Sequence, residues 1–566
     1  MSKLMRFSSL LGVGVAVSLI VAACGGGTAT AVPTAVPTKA PAATNTTAPA
    51  PTATAVLTSS GEMNVALANM NFELIMRDGT MRSYIDSMYD WVIGSTPDGK
   101  MDPASGLATS WTVAPDALSL TLKTRDGITF WNGNKASASD IRANLERVVA
   151  TGFPGTGGAG TKSAGYIGSE VPDANTVVVK FGKPSLYFHI NQFSRLAGGS
   201  EPSHVIDGKY FAEVGEAGYN KAPSGSGPYK FKSVTIGDNV TVEAVTRHWL
   251  RGVPRTKTLT FKQVPEGSTR LALLRSGGAD LALIGRAQLE DVKKAGLQIF
   301  ARDNSGCGCW RIDEQYKAEY PNYGPNPLAD ARVRQALDWY AIDRKAIVDT
   351  FMKGLATPSM NYPVFSRDPA YKALPVPAYD PAKAKALLDA AGFPQKTGGR
   401  FELDFVIVPR PQIPEGQEIA ESMAVYFEQL GIKVNRRPME YANYRDTLTT
   451  GKGFTKPTVF GVWFLAGSPV AGAGISGVNW RKGGSLFATA WDEDVAKVAD
   501  LWGQAKTQDD YIKLGQQYQQ ILYDKGLTSI LFSTGEIIAA SAKVPKAYNL
   551  GTAGYSFQFE VAAAMR

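Results

Sequence analysis

Residues 107–141 read LATSWTVAPDALSLTLKTRDGITFWNGNKASASDI, and the two periodicities inside that stretch decide the fold class. Leu118, Leu120 and Leu122 alternate with Ser119 and Thr121, the period-2 pattern of a strand with one buried face. Asp126-Gly127 turns the chain, and Ile128 and Phe130 follow. Ser139 or Asp140 is then placed to cap a helix whose apolar face is Ile141, Leu145, Val148 and Val149.

The same alternation of strand and helix continues outward. Val177-Val178-Val179 and Val240-Thr241-Val242 read as strands. Asp330 caps a helix with Val333, Ala336, Leu337 and Tyr340 on one face, and Asp343 caps the next, with Ile347 and Phe351. Asp380-Pro381 puts a cap and a first-turn proline before Ala384, Leu387, Leu388 and Ala391, and Gly392 stops that helix. Ile419, Met423, Tyr426, Phe427 and Leu430 form a further stripe ended by Gly431, after which Ile432-Lys433-Val434 reads as a strand. Helices set between strands predict α/β domains. With 566 residues, two or three of them are expected.

Hydrophobic content of 44% and charged content of 19% are those of a globular chain. The net charge of +8 comes with no concentrated run of Lys and Arg, which argues against nucleic-acid binding. No G-x-S-x-G or H-E-x-x-H occurs, and His189, His204 and His248 lie far apart, so no enzyme is expected and no catalytic residue is assigned. With three His and three Cys, no metal site and no cofactor is expected either. Cys307 and Cys309 flank Gly308 as either a small disulfide ring or two free thiols.

Residues 1–24 have the plan of an export signal: Lys3 and Arg6, then an apolar run from Leu10 to Ala23 that is short of the ~20 residues of a membrane span. It ends in Val21-Ala22-Ala23-Cys24, which resembles the bacterial lipobox and implies lipidation at Cys24. Residues 25–60 carry one charge, no aromatic side chain and repeated Pro, the composition of an extended disordered stalk. The expected location is the extracytoplasmic face of the cell membrane, lipid-anchored, or the periplasm.

The opening stretch resembles the hallmark of bacterial extracellular solute-binding proteins of family 5, the peptide/nickel-type, cluster C binders of ABC transporters. Leu107 to Trp111, Gly127 to Gly133 and Ala138 to Ile141 carry that resemblance in order. Pro223-Ser224-Gly225-Ser226-Gly227-Pro228-Tyr229 resembles the family's Gly-Thr-Gly-Pro-Tyr turn, with Ser226 departing. Arg270 to Gly277 with Asp280, Val333 to Leu337 with Ala341 to Arg344, and Tyr379 to Phe393 resemble three later blocks. The resemblance implies a two-lobed periplasmic-binding-protein-like α/β fold (type II, cluster C) with an extra domain on the N-terminal side. By that map, lobe I is built from 61–84, 181–300 and 530–566, the extra domain from 85–180, and lobe II from 301–529. Trp111 and Trp131 read as packing anchors, and Asp343 as a cap.

Peptide binders of the family hold the ligand's ammonium with an Asp shortly after a Trp. Here Trp463 is present, and the Asp position falls on Ala466. A buried ammonium without a counter-charge is costly, so a free peptide N-terminus is a poor ligand by this reading. The ligand-lining residues implied by the map are Asn69, Asn71 and Phe72 from lobe I, and Cys309, Arg311, Asn361, Tyr362 and Trp463 from lobe II. Cys309 and Arg311 face one side of a strand, and Arg311 either meets a ligand carboxylate or forms an ion pair. The expected partners are a small ligand, either an oligopeptide-like molecule or an oligosaccharide, and the permease subunits of an ABC importer, with the chain a monomer. A ligand-sensing receptor domain of the same fold is the other function this sequence admits.

Overall fold

The computed structural model describes residues 59–76, 82–151, 156–196, 201–302, 306–313, 319–320, 324–409, 413–440, 443–444, 455–466, 470, 492–528, 530–550 and 559. The export signal, Cys24 and the stalk up to residue 58 lie outside the described residues. Ser60, placed in the stalk by composition, already opens a strand and pairs with Thr256.

A seven-stranded sheet runs in the order Gln298–Ala301, Ile537–Ala540, Leu281–Leu283, Ser60–Leu67, Thr256–Gln263, Asn239–Ala244, Tyr229–Thr235. Ser60–Leu67 lies parallel to both of its neighbours, and the outer strands join antiparallel. Val65 and Leu67 enter one core with Tyr84, Val240, Val242 and Phe261. Ala66, on the other face, enters a second core with Leu271, Leu274 and Val292. Cover on both faces explains why the inner end of this strand, Val65-Ala66-Leu67, is apolar in succession.

A six-stranded sheet has the order Ala356–Pro358, Ile530–Thr534, Gly306–Asp313, Thr458–Ala466, Glu402–Ile407, Lys433–Pro438. Its last two strands are parallel and are linked by the helix Gly416–Gln429, which buries Ile419, Ala420, Met423, Ala424 and Phe427. Trp310 and Ile312 enter that same core. The helix ends at Gly431, whose φ of +85° suits glycine. The caps expected at Asp330, Asp343 and Asp380 form, each carboxylate accepting a backbone N–H of the following turn.

The third sheet, Ala108–Val113, Ser119–Thr124, Thr176–Phe181, Tyr166–Asp173, is antiparallel throughout and holds the opening stretch of the sequence. Leu120, Leu122, Val177 and Val179 point into its core with Ile141 and Leu145 of the helix Ala138–Thr151. Two expectations shift by a residue or two. Leu118 is exposed, because the strand begins only at Ser119. The helix starts at Ala138, so Asp140 acts from its first turn, accepting the Ser137 N–H at 2.8 Å, while Ser139 caps nothing.

The turn at 223–229 locks this domain to the seven-stranded body. Trp131 donates its backbone N–H to Gly225 O at 3.0 Å and its indole N–H to Gly227 O at 3.3 Å. A Cβ on Gly227 would stand 2.5 Å from the carbonyl carbon of Met88, so the close approach demands glycine. Trp131 is an anchor, as its place in the sequence suggested.

Candidate functional site: the junction of the two larger sheets

The chain leaves the seven-stranded sheet after Ala301, enters the six-stranded one at Gly306, and returns between Thr534 and Ile537. The return therefore falls later than the expected 530. Ile530–Thr534 pairs with Gly306–Asp313 because Gly308 leaves room for the Phe532 ring, which a Cβ would meet at 2.3 Å.

Buried ion pairs hold these two crossings together. Arg302 accepts no side chain opposite it: a Cβ on Gly535 would lie 1.8 Å from Arg302 O. The Arg302 N–H donates to Glu536 O at 3.0 Å, and its guanidinium meets the Glu536 carboxylate at 3.2 Å and Leu550 O at 2.9 Å. Arg286, at the start of a short turn after the strand Leu281–Leu283, reaches across. Its backbone N–H donates to Glu415 Oε1 at 2.6 Å, and Nη1 lies 3.5 Å from Glu415 Oε2. Its Nη2 donates to Thr534 Oγ1 at 2.8 Å and to Gly535 O at 2.5 Å. Glu415 stands at the head of the helix Gly416–Gln429, so this one arginine touches both sheets and the crossing between them. Burial holds the Arg286 guanidinium below its ordinary pKa, and Glu415 and Glu536 oppose that shift.

A second bridge joins the four-stranded domain to the six-stranded body. Tyr187 packs edge-on against Tyr511, and Asn191 Nδ2 donates to Val470 O at 3.2 Å. Leu186, Tyr187 and Ile190 rest on the apolar cluster around Trp502, Tyr511 and Tyr518.

Among the expected lining residues, Cys309 and Arg311 do share a face, since Trp310 between them turns into the opposite core. Cys307 and Cys309 form a disulfide, which settles the alternative left open by the sequence. Arg311 is only 1% exposed, with its guanidinium over the Phe460 ring at 5.9 Å, so it is a buried group of this face. The neighbouring strand Thr458–Ala466 carries one extra residue opposite Trp310, between the pairs Cys309–Trp463 and Arg311–Phe460. Asn361 donates its amide to Lys372 O at 2.6 Å and Gln519 Oε1 at 2.8 Å and accepts the Leu374 N–H, ties that fasten its loop to the helix Gln508–Asp524. Tyr362 is buried in the same cluster. Asn69 and Asn71 are exposed after the strand Ser60–Leu67, Asn71 accepting from Tyr84 Oη, and Phe72 adopts φ +62° half-buried beside them. Trp463 pairs through its backbone with Cys309, and its side chain lies outside the described residues.

Arg286, Arg302, Glu415 and Glu536 escaped the sequence reading. They sit beside apolar runs without any period of their own. The one cue was the break Thr534-Gly535-Glu536 between two runs that each read as a buried strand.

Two α/β bodies joined by paired crossings, with an antiparallel domain on one of them, make a two-lobed extracytoplasmic binding-protein fold. The chain belongs to the bacterial extracellular solute-binding proteins of family 5, whose middle region matches residues 102–466. It is similar to the glutathione-binding protein GsiB of Escherichia coli strain K12, 27% identical over 505 residues that span 85% of this chain and 90% of that one. GsiB of Salmonella typhi is 26% identical over 493 residues, with 85% and 90% covered. In solved structures the fold is shared with AgaA of A. tumefaciens R10 in complex with agropinic acid, at a TM-score of 0.71 and 20% identity over 89% of this chain and 98% of that one. It is shared equally with the oligopeptide-binding protein AppA of Bacillus subtilis in complex with a nonapeptide, at a TM-score of 0.69 and 17% identity over 89% and 98%.

Proposed function

We propose that this chain is the solute-binding component of an ABC importer and captures an oligopeptide-like small ligand between its two lobes for delivery to the permease. The observation that carries this reading is the junction. Two adjacent crossings pinned by Arg286 and Arg302 form a hinge about which bodies of this size close on a ligand. Asn69, Asn71, Phe72 and Trp463 are the proposed lining of the cleft, with the four-stranded domain as the extra domain on the first lobe. No chemical step is involved: a ligand that touches both lobes stabilises the closed form. The relatives named for glutathione support a short peptide as the ligand class.

The oligosaccharide reading stands second, on one observation. The Ala466 backbone pairs with Gly306 where a peptide binder of the family would present a carboxylate. Lipidation of Cys24 and a monomeric state complete the proposal. Thermal melting of the purified chain against glutathione, tripeptides and maltooligosaccharides tests the ligand class: a shift with the peptides supports the first reading, a shift with the sugars alone replaces it, and none with any removes both. Mass analysis of the N-terminus from membranes reads the lipid on Cys24, and an unmodified Met1 would remove the anchor.

A further inference from the structure

The strands Asn239–Ala244 and Thr256–Gln263 pair antiparallel, and the loop that joins them, residues 245–255, stands at the rim where the chain enters the seven-stranded body. Ser60 lies opposite Thr256 and donates its N–H to Arg255 O at 2.9 Å, while Ser59 Oγ donates to Pro254 O. The part of the chain that precedes Ser59 therefore ends beside this loop. A tether fixed at Cys24 brings this rim to the membrane before any other part of the body.

From Ala244 to Pro265 the sequence carries Arg247, Arg251, Arg255, Lys257 and Lys262 and no acidic residue. These cations are spaced along the chain, and the ladder gathers the first four at the rim. Arg247, Arg255 and Lys257 are exposed. Two acids, Glu62 and Glu243, flank Thr258 in the ladder, and Glu243 faces Lys230 on its other side, so the rim keeps a positive surplus.

The loop is braced from within. His248 and Gly252 exchange backbone hydrogen bonds of 2.7 and 3.0 Å, and His248 Nδ1 accepts the Leu250 N–H at 3.3 Å and the Arg251 N–H at 3.0 Å. Beneath it, the buried Asp90 accepts from His248 Nε2 at 3.0 Å and from the Trp249 indole N–H at 2.7 Å. These bonds turn the imidazole and the indole inward and leave Leu250 outward at the tip, 41% exposed. A fixed apolar side chain ringed by cations matches a surface with phosphates outside and acyl chains beneath.

We propose that this loop rests on the anionic headgroups of the membrane, with Leu250 entering the headgroup layer and Arg247, Arg255 and Lys257 against the phosphates. The contact uses the proposed Cys24 anchor only to raise the local concentration of the loop at the surface, and it is independent of the ligand.

Leu250→Cys, labelled with an environment-sensitive dye in the full chain, tests it, and the unsubstituted chain treated alike supplies the background. With phosphatidylcholine vesicles that contain about 30% phosphatidylglycerol, the emission moves to the blue by roughly 10 nm and is quenched by brominated lipid. Pure phosphatidylcholine vesicles give no shift, and about 0.5 M salt removes it. Arg247→Glu with Lys257→Glu removes it too, at an unchanged melting temperature. A label placed through Val425→Cys, exposed on the helix Gly416–Gln429 of the other body, stays unshifted. No shift at position 250 with the anionic vesicles overturns the proposal, and so does an equal shift at position 425, the mark of indiscriminate adsorption. A shift that requires permease subunits in the vesicles overturns it as well and gives the loop to a protein partner. An unmodified Cys24 in the mass analysis removes the tether, and the label then decides the contact by itself.

Discussion

The ring of Tyr187 meets that of Tyr511 edge-on, with centroids 4.5 Å apart and planes at 76°. Tyr187 follows the last strand of the four-stranded domain, while Tyr511 belongs to the helix Gln508–Asp524 beneath the six-stranded sheet. The contact is thus a clasp between the four-stranded domain and the six-stranded body, separate from the Arg286 and Arg302 crossings, which join the six-stranded and seven-stranded sheets. An edge-to-face pair contributes about 0.5–1.5 kcal/mol beyond its buried area. If the clasp favours the closed form, Tyr187→Ala weakens ligand binding by roughly 3- to 10-fold. Calorimetric titration with small-angle scattering on the same samples checks this. Unchanged affinity and unchanged radius would place the clasp outside the closing motion.

Asn361 stands in the proposed lobe II lining by sequence and in the loop framework by structure. Its amide serves Lys372 O, Gln519 Oε1 and the Leu374 N–H. Each buried partner left without a bond costs about 1–3 kcal/mol. Asn361→Ala is expected to lower unfolding stability by about 3 kcal/mol while ligand affinity at low temperature holds. Denaturant titration beside ligand binding separates the two roles, and lost affinity at wild-type stability would return Asn361 to the cleft.

Burial pushes the His189 imidazole down to about 4, and its Nδ1 has no partner among the described residues. The unfolded chain takes up its proton near pH 6.5 and the folded chain only near 4. The unfolded state therefore binds more protons between those values, and stability falls as pH drops through that window. His189 contributes about 2 kcal/mol to the loss between pH 7 and pH 5. Urea unfolding at both pH values should show the loss in wild type and a correspondingly smaller one in His189→Gln.

Gly227 admits no side chain because its Cβ would press on the Met88 backbone, which has nowhere to go. Gly227→Ala is expected to cost about 1–3 kcal/mol and to loosen Trp131, whose indole N–H donates to Gly227 O. Differential scanning calorimetry reads the stability and tryptophan fluorescence the anchor. A variant with wild-type melting would mean that the 223–229 turn relaxes freely.

The elements were legible wherever a single period governed them. Leu120, Leu122, Ile141 and Leu145 faced a core from their spacing alone, and Asp330, Asp343 and Asp380 announced helix starts because capping is local chemistry. The family blocks gave the two-lobed plan through residues held by close contacts in this chain, such as Gly227 against Met88 and Trp131 against Gly227 O. Leu118 failed because one more apolar residue in the pattern says nothing about where a strand's hydrogen bonds begin.

Sequence by itself determined the layers, most helix ends and the family of this chain, since each depends on neighbours a few residues apart. Only the tertiary structure decided that Asn361 is tied into its loop, that Cys307 bonds Cys309, and that Arg286 spans two sheets to reach Glu415. Charge balance at a junction sums residues hundreds of positions apart, such as Arg302 with Glu536, and no periodicity carries that sum along the chain.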